Sequence, residues 1–271
     1  MEIVSRVRYT YERHTYGLKD WKLEFGKVWG VIEAFFEIKN ETEGSTHIHL
    51  KQIPTELDQA ESTSLAYAKA VSKFVVFWDP CIYLLAPRRR RGSEYCRSNL
   101  IASKRLCVAL QESAKKNGTY KIIFDKIDGF STPKEVCDFM SGGGKDFAWS
   151  FLYITTPKPP ATRSSGTIEY RRPPGSKTLR DLRGFVTMSL CFVHGAVKAV
   201  EAYHDLYKTM ENTLIVCSTQ DHTYNYAQQP FLPANVEKFG SDHFDAFITW
   251  MRESAATLGL TDYLLEDISK E

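Results

Sequence analysis

The sequence has no CxxC pair: its six cysteines, Cys81, Cys96, Cys107, Cys137, Cys191 and Cys217, stand singly. That pattern argues against a cysteine zinc site and a small disulfide framework, and the thiols read as reduced. No apolar run is long enough for a membrane span, and the best of them, Phe74 to Leu85, is interrupted by Asp79-Pro80. No secretory pattern follows Met1, so the expected setting is cytoplasmic. Charge of one sign is not in excess either: 35 Lys and Arg stand against 33 Asp and Glu, for a net charge of +2. Such a balance gives no general attraction to polyanions. No internal repeat and no domain linker is visible. A Walker phosphate loop is also missing: Ser141-Gly-Gly-Gly-Lys145 resembles a phosphate-cradling loop in composition but lacks the pattern, and reads as a plain flexible turn.

What is present is a folding composition, 43% hydrophobic and 13% aromatic over 271 residues. It suffices for one large domain, and residues 1–271 are read as a single one. Alternation predicts strands at Met1–Thr10, Ser45–Lys51, Tyr120–Phe124 and Ala148–Thr155, with a central strand inside Gly166–Gly175. Apolar residues at three- and four-residue spacing predict helices over Leu18–Lys39 (Trp21, Phe25, Val28, Trp29, Ile32, Phe36) and Glu56–Phe77, the latter ended or redirected by Asp79-Pro80. Further helices are expected after Ser93-Glu-Tyr-Cys-Arg97 through about Lys116, from Ser131-Thr-Pro-Lys-Glu135 to near Met140, over Thr178–Tyr203, and over Ser241–Leu258. Strands from distant positions covered by long helices make an α+β domain.

Three stretches carry candidate chemistry. In Thr167-Ile-Glu-Tyr-Arg171, Glu169 and Arg171 project from one strand face. They form either a surface ion pair at a strand end or a metal-phosphate site, the carboxylate taking a hard cation and the guanidinium phosphate oxygens. In Ser45-Thr-His-Ile-His49, His47 and His49 share a face. They are either hydrogen-bonded histidines lining a cleft or contacts for a metal or phosphate. Arg88-Arg-Arg-Arg91 reads as a localisation or nucleic-acid patch, as a solvated loop, or as a source of arginines for a phosphate site. Near-neutral net charge makes nucleic acid the weakest of these partners.

Taken in order, Glu2-Ile-Val-Ser5, Ser45-Thr-His-Ile-His49, Arg90-Arg-Gly-Ser-Glu-Tyr-Cys96, Phe147-Ala-Trp-Ser-Phe151 and Thr167-Ile-Glu-Tyr-Arg171 resemble the landmarks of the amidoligase family, in particular its fungal members. These are distant relatives of glutamine synthetase and glutamate-cysteine ligase, and the resemblance runs nearly end to end. It implies an antiparallel β-sheet funnel covered by long helices, with ATP and Mg2+ bound inside. The implied activity joins a small-molecule or peptide carboxylate to an amine through an acyl phosphate, with no membrane partner. By the same resemblance, Glu2, His47 and Glu169 hold metal, Arg90, Arg91 and His49 lie at the nucleotide, and Arg171 with Glu169 serves catalysis. Two departures from the family pattern follow. The family's upstream Gly-x-Glu-x-Glu strand has no counterpart before Glu2, and Arg6 stands where the family has Pro after Glu-Ile-Val-Ser. The expectation is therefore an amidoligase lacking its N-terminal part, truncated or inactive, with an uncovered sheet edge beside residues 1–10. The alternative is a non-catalytic binding protein on the same fold.

Overall fold

The computed structural model describes residues 17–35, 44–51, 60–91, 93–115, 120–155, 166–201 and 241–264. The strand expected over residues 1–10, with Glu2 and the edge beside it, lies outside the described residues. So does Tyr207–Gln229, whose sequence shows no regular period. What is described is mostly helical, with a small three-stranded antiparallel sheet, and the class is α+β.

The longest helix among the described residues, α2 (Ala60–Leu85), forms the centre of the packing and is followed by the short α3 (Arg88–Arg91). Residues 70–82 are buried without a break. Against α2 pack α6 (Tyr120–Asp128), α7 (Pro133–Ser141) and α8 (Leu179–Glu201), and α8 is in turn covered by α9 (Ser241–Leu258) and α1 (Gly17–Phe35). Of the two outcomes expected at Asp79-Pro80, an end or a redirection, the end does not occur. Pro80 removes one helical hydrogen bond, but apolar burial on both sides of it carries the helix on to Leu85.

Tyr120–Phe124 is not a strand. Its aromatic and β-branched residues suit one, but Tyr120, Ile123, Phe124 and Ile127 fall at helical spacing, and all four are buried on α6. After a short turn at Glu94–Cys96, the single helix expected through about Lys116 is divided into two, α4 (Asn99–Ala102) and α5 (Lys104–Lys115). Between the last two, the Ser103 hydroxyl donates to the Phe139 carbonyl at 2.5 Å and so joins this region to α7. The start of α7 is as expected: Thr132 accepts from the Glu135 amide and Glu135 caps in return, with Pro133 in the first turn. Thr178 does the same for α8, exchanging bonds with Asp181. On α1, Trp21, Phe25 and Trp29 are buried one turn apart, while Val28, expected on that stripe, and Phe35 are exposed.

In the sheet, β3 (Ile168–Tyr170) lies between β1 (Ile48–Leu50) and β2 (Trp149–Ser150). Ile48 pairs with Tyr170, His49 with Glu169 and Leu50 with Ile168, while Trp149 and Ser150 pair with Tyr170 and Glu169. The strand expected over Ala148–Thr155 is thus two residues long. At Phe151 the backbone leaves the extended region, and a turn follows at Leu152–Ile154. One sheet face is apolar: Ile48, Leu50, Ile168, Tyr170 and Trp149 are buried in the core. Trp149 stacks between Tyr170 at 4.4 Å and Phe192 of α8 at 4.6 Å. The main chain of Trp149 is satisfied by the Asn99 side chain, which takes its N–H and donates to its carbonyl, so this part of the sheet margin is closed. After β3, Gly175 donates to the Gly44 carbonyl at 2.8 Å. A β-carbon there would meet Gly44 at 3.2 Å, so glycine permits the close approach that holds the start of β1 against the exit of β3.

Candidate functional site on the polar face of the sheet

Because side chains alternate along a strand, burial of Ile168 and Tyr170 turns Thr167, Glu169 and Arg171 to the opposite face. Register places His49 beside Glu169 there, and His47 one step along beside Arg171. Residues 124 positions apart in sequence are thereby brought within contact.

Glu169 is the centre of the group, its side chain only 2% exposed. Its Oε1 accepts from Arg171 Nη1 at 2.8 Å and lies 3.1 Å from His47 Nδ1 and 3.7 Å from His49 Nε2. The remaining oxygen, Oε2, is buried and has no hydrogen-bond partner among the described residues. Burial pushes the Glu169 carboxyl up, but the bond from His47 and the charge of Arg171 outweigh it and hold it below the usual carboxylate range. It is a carboxylate at neutral pH.

The tautomer of His47 follows from its neighbours. Nδ1 faces a carboxylate, which can only accept, and Arg171 Nη1 at 3.4 Å, which can only donate. The shorter contact is with the carboxylate, so Nδ1 carries the proton, and Nε2 then accepts from the Ser45 hydroxyl at 2.7 Å. His49 shares a hydrogen bond with Thr167 Oγ1 at 3.2 Å and meets the Tyr153 ring edge-on at 5.0 Å. Both imidazoles are about one-third exposed, at 34% and 36%, and form the solvent side of the group. Arg171 is further held by its Nε, which donates to the Tyr95 carbonyl at 3.4 Å.

Of the residues singled out by sequence, the structure brings together His47, His49, Glu169 and Arg171. Arg90 and Arg91 turn their guanidinium groups to main-chain carbonyls: Arg90 to those of Arg171 and Arg172, Arg91 to those of Leu84 and Ala86. Glu2 lies outside the described residues. Sequence reading missed Ser45, Thr167, Tyr153 and the Tyr95 carbonyl. Ser45 and Thr167 lie just outside β1 and β3 at positions alternating with His47 and Glu169, and that alternation is the signal that finds them. Tyr95 lies within the singled-out stretch Arg90–Cys96, but nothing local marks its carbonyl, and nothing local marks Tyr153.

The fit to magnesium rests on one oxygen. Magnesium takes oxygen ligands in octahedral array, and with nucleotides it is commonly held by one or two carboxylates and the phosphates themselves. Glu169 Oε2 suits that sparse mode. A dedicated protein cage is not formed: among the described residues no group of three or more His, Cys, Asp or Glu side chains is arranged to hold a metal ion. Among the described residues no helix is long and apolar enough to cross a membrane. Comparison with protein-family models, curated proteins and solved structures gave no match.

Proposed function

We propose that this chain is an ATP- and magnesium-dependent carboxylate–amine ligase of the amidoligase kind, working on the polar face of the sheet. One observation carries the reading: His47, His49, Glu169 and Arg171 meet on one antiparallel sheet face at the depth of the buried Glu169. Two of the five stretches that carry the family resemblance, Ser45–His49 and Thr167–Arg171, supply the residues that meet there. Extending the three strands to the wider funnel of glutamine synthetase-like enzymes belongs to the same proposal.

The reaction has two displacements. A carboxylate oxygen attacks the γ-phosphorus of ATP and ADP leaves; an amine then attacks the acyl carbon and phosphate leaves. Phosphoryl transfer asks the protein chiefly for position and opposing charge. Bound magnesium supplies charge neutralisation between the phosphates. Arg171 is placed to bind phosphoryl or carboxylate oxygens: its Nη1 and Nε are committed to Glu169 and Tyr95, and Nη2 has no hydrogen-bond partner among the described residues. Glu169 offers Oε2 to the cation while its Oε1 orients Arg171. His47, donating to Oε1, keeps that oxygen from competing. His49 rims the nucleotide side.

A second reading, a metal-free binding site on the same face, is favoured by Oε2 being enclosed and Oε1 already neutralised. Calorimetric titration of a non-hydrolysable ATP analogue, with and without magnesium, separates the two. Magnesium-dependent binding that disappears in Glu169→Gln is the outcome expected for the ligase. Binding indifferent to magnesium and to Glu169→Gln supports the second reading. No heat of binding in the wild type overturns the nucleotide assignment.

A further inference from the structure

We infer that Arg90 is a positioning residue that sets the reach of Arg171, and not a nucleotide contact. The inference rests on the proposed role of Arg171 as the ligand-facing cation. Arg90 is 4% exposed. Its Nε donates to the Arg172 carbonyl at 3.2 Å and its Nη2 to the Arg171 carbonyl at 2.8 Å. The planar fork thus spans two successive peptide groups at the exit of β3, where ordinary strand pairing has ended. A buried guanidinium is costly unless its donors are well placed. Among the described residues Arg90 has no carboxylate partner, so its charge does no pairing. What it does is fix two carbonyls.

The same two residues are gripped from other sides. The Arg171 N–H donates to the Ala148 carbonyl at 2.9 Å, and the Arg172 guanidinium pairs with Asp79 at 3.1 Å. Asp79 is itself engaged by the Ser98 hydroxyl. The chain that presents Arg90 also presents Tyr95, whose carbonyl takes Arg171 Nε. That chain is closed on itself by the Cys96 thiol, which donates to the Arg90 carbonyl at 3.4 Å. Arg90 and Tyr95 therefore hold Arg171 at its main chain and its side chain respectively. A small rotation of its peptide would swing the long side chain off Glu169.

The test is side-chain NMR of arginine-labelled protein, read together with affinity for the ATP analogue. In the wild type the Arg90 Nε–H is expected as a slowly exchanging signal; rapid exchange with solvent overturns the proposal before any variant is made. In Arg90→Lys, with fold checked by circular dichroism, the Arg171 Nε–H signal is expected to shift and lose its protection. Analogue affinity should fall about tenfold or more, as in Arg171→Lys. Arg105→Lys, exposed on α5, should change neither. An unchanged Arg171 signal in folded Arg90→Lys overturns the positioning role. If the wild type binds no analogue, the proposed function fails, and the Arg171 signal still decides the role of Arg90.

Discussion

Gly195 lies on α8 where that helix crosses α2 and α9, and its replacement by alanine tests the packing that supports the sheet. A β-carbon built there falls 2.2 Å from the Trp250 Nε1, 2.8 Å from its Cδ1 and 3.2 Å from Phe74 Cζ. Ordinary contact begins at roughly 3.5 Å, so the indole must move by about 1.3 Å. Phe74 has no soft way out, and relief falls to Trp250, which is only partly buried. Phe74 is buried and packed edge-on against Phe192 at 4.8 Å, and Trp250 sits 6.1 Å from Phe74 on the other side. Overpacking of this kind costs about 1–3 kcal/mol, and the severity of the overlap argues for the upper end. Alanine recovers about 1 kcal/mol of helix propensity. The expected net loss is about 2 kcal/mol.

Gly30 on α1 supplies the opposite sign. It is exposed and a β-carbon there meets nothing within 4 Å, so Gly30→Ala should gain about 0.5–1 kcal/mol from propensity alone. Urea unfolding of both variants, compared at unchanged m value, reads the two effects. With m of about 3 kcal/mol/M, Gly195→Ala should lower the midpoint by about 0.7 M. Trp250→Leu in the Gly195→Ala background should cost less than it does in the wild type, because the overlap has gone; the coupling falls in the range of about 0.5–3 kcal/mol. A Gly195→Ala midpoint equal to or above that of the wild type would refute the close crossing of α8 and α9.

The carboxyl of Glu169 gives a pH signature. Its folded pKa lies below the unfolded value of about 4.3, so the stabilisation is fully present above that value and is lost as pH falls through the folded one. The stability gap between wild type and Glu169→Gln, measured by urea at successive pH values, should therefore be widest near neutrality and close in acid; a gap that widens in acid contradicts the ion-pair account. Asp79→Asn leaves the Arg172 guanidinium buried beside a neutral amide. Loss of one partner of a buried pair costs about 3–5 kcal/mol, so thermal unfolding of Asp79→Asn should show a drop of several degrees, and a midpoint within a degree of wild type would mean that Arg172 finds another acceptor.

How much of this was legible in the sequence depended on the range of the cause. The polar face was legible because alternation is local: Ile48 and Leu50 on one strand, and Ile168 and Tyr170 on another, had to be buried, and that alone turned His47, His49, Glu169 and Arg171 the other way. The caps of α7 and α8 were legible for the same reason, since a hydroxyl and an acid three residues apart carry their own geometry. The continuation of α2 through Pro80 was not, because it is decided by burial against other helices and not by the dipeptide. Tyr120–Phe124 was misread because five apolar-rich residues suit either period, and the residue that decides, Ile127, lies beyond the window. The inward turn of Arg90 was hidden in a run of four arginines, and its acceptors lie 81 and 82 residues away.

That last case bears on how the site works. Three arginines meet at the exit of β3, and their surroundings give them different work. Arg171 follows the polar alternation and lies on Glu169. Arg172, one step on, falls on the core side. There it is buried against Asp79, with its guanidinium 5.4 Å from the centre of the Tyr83 ring. Arg90 approaches from outside the sheet and takes the carbonyls of both. A strand end that must hold one cation beside a buried carboxylate has few backbone partners left to fix it, because its ladder has run out. The two other cations do that task, one through its side-chain pair with α2 and one through the main chain. Charge at this corner is then not a measure of affinity for anions: of three guanidinium groups, only that of Arg171 is set on the face where His47 and His49 meet solvent.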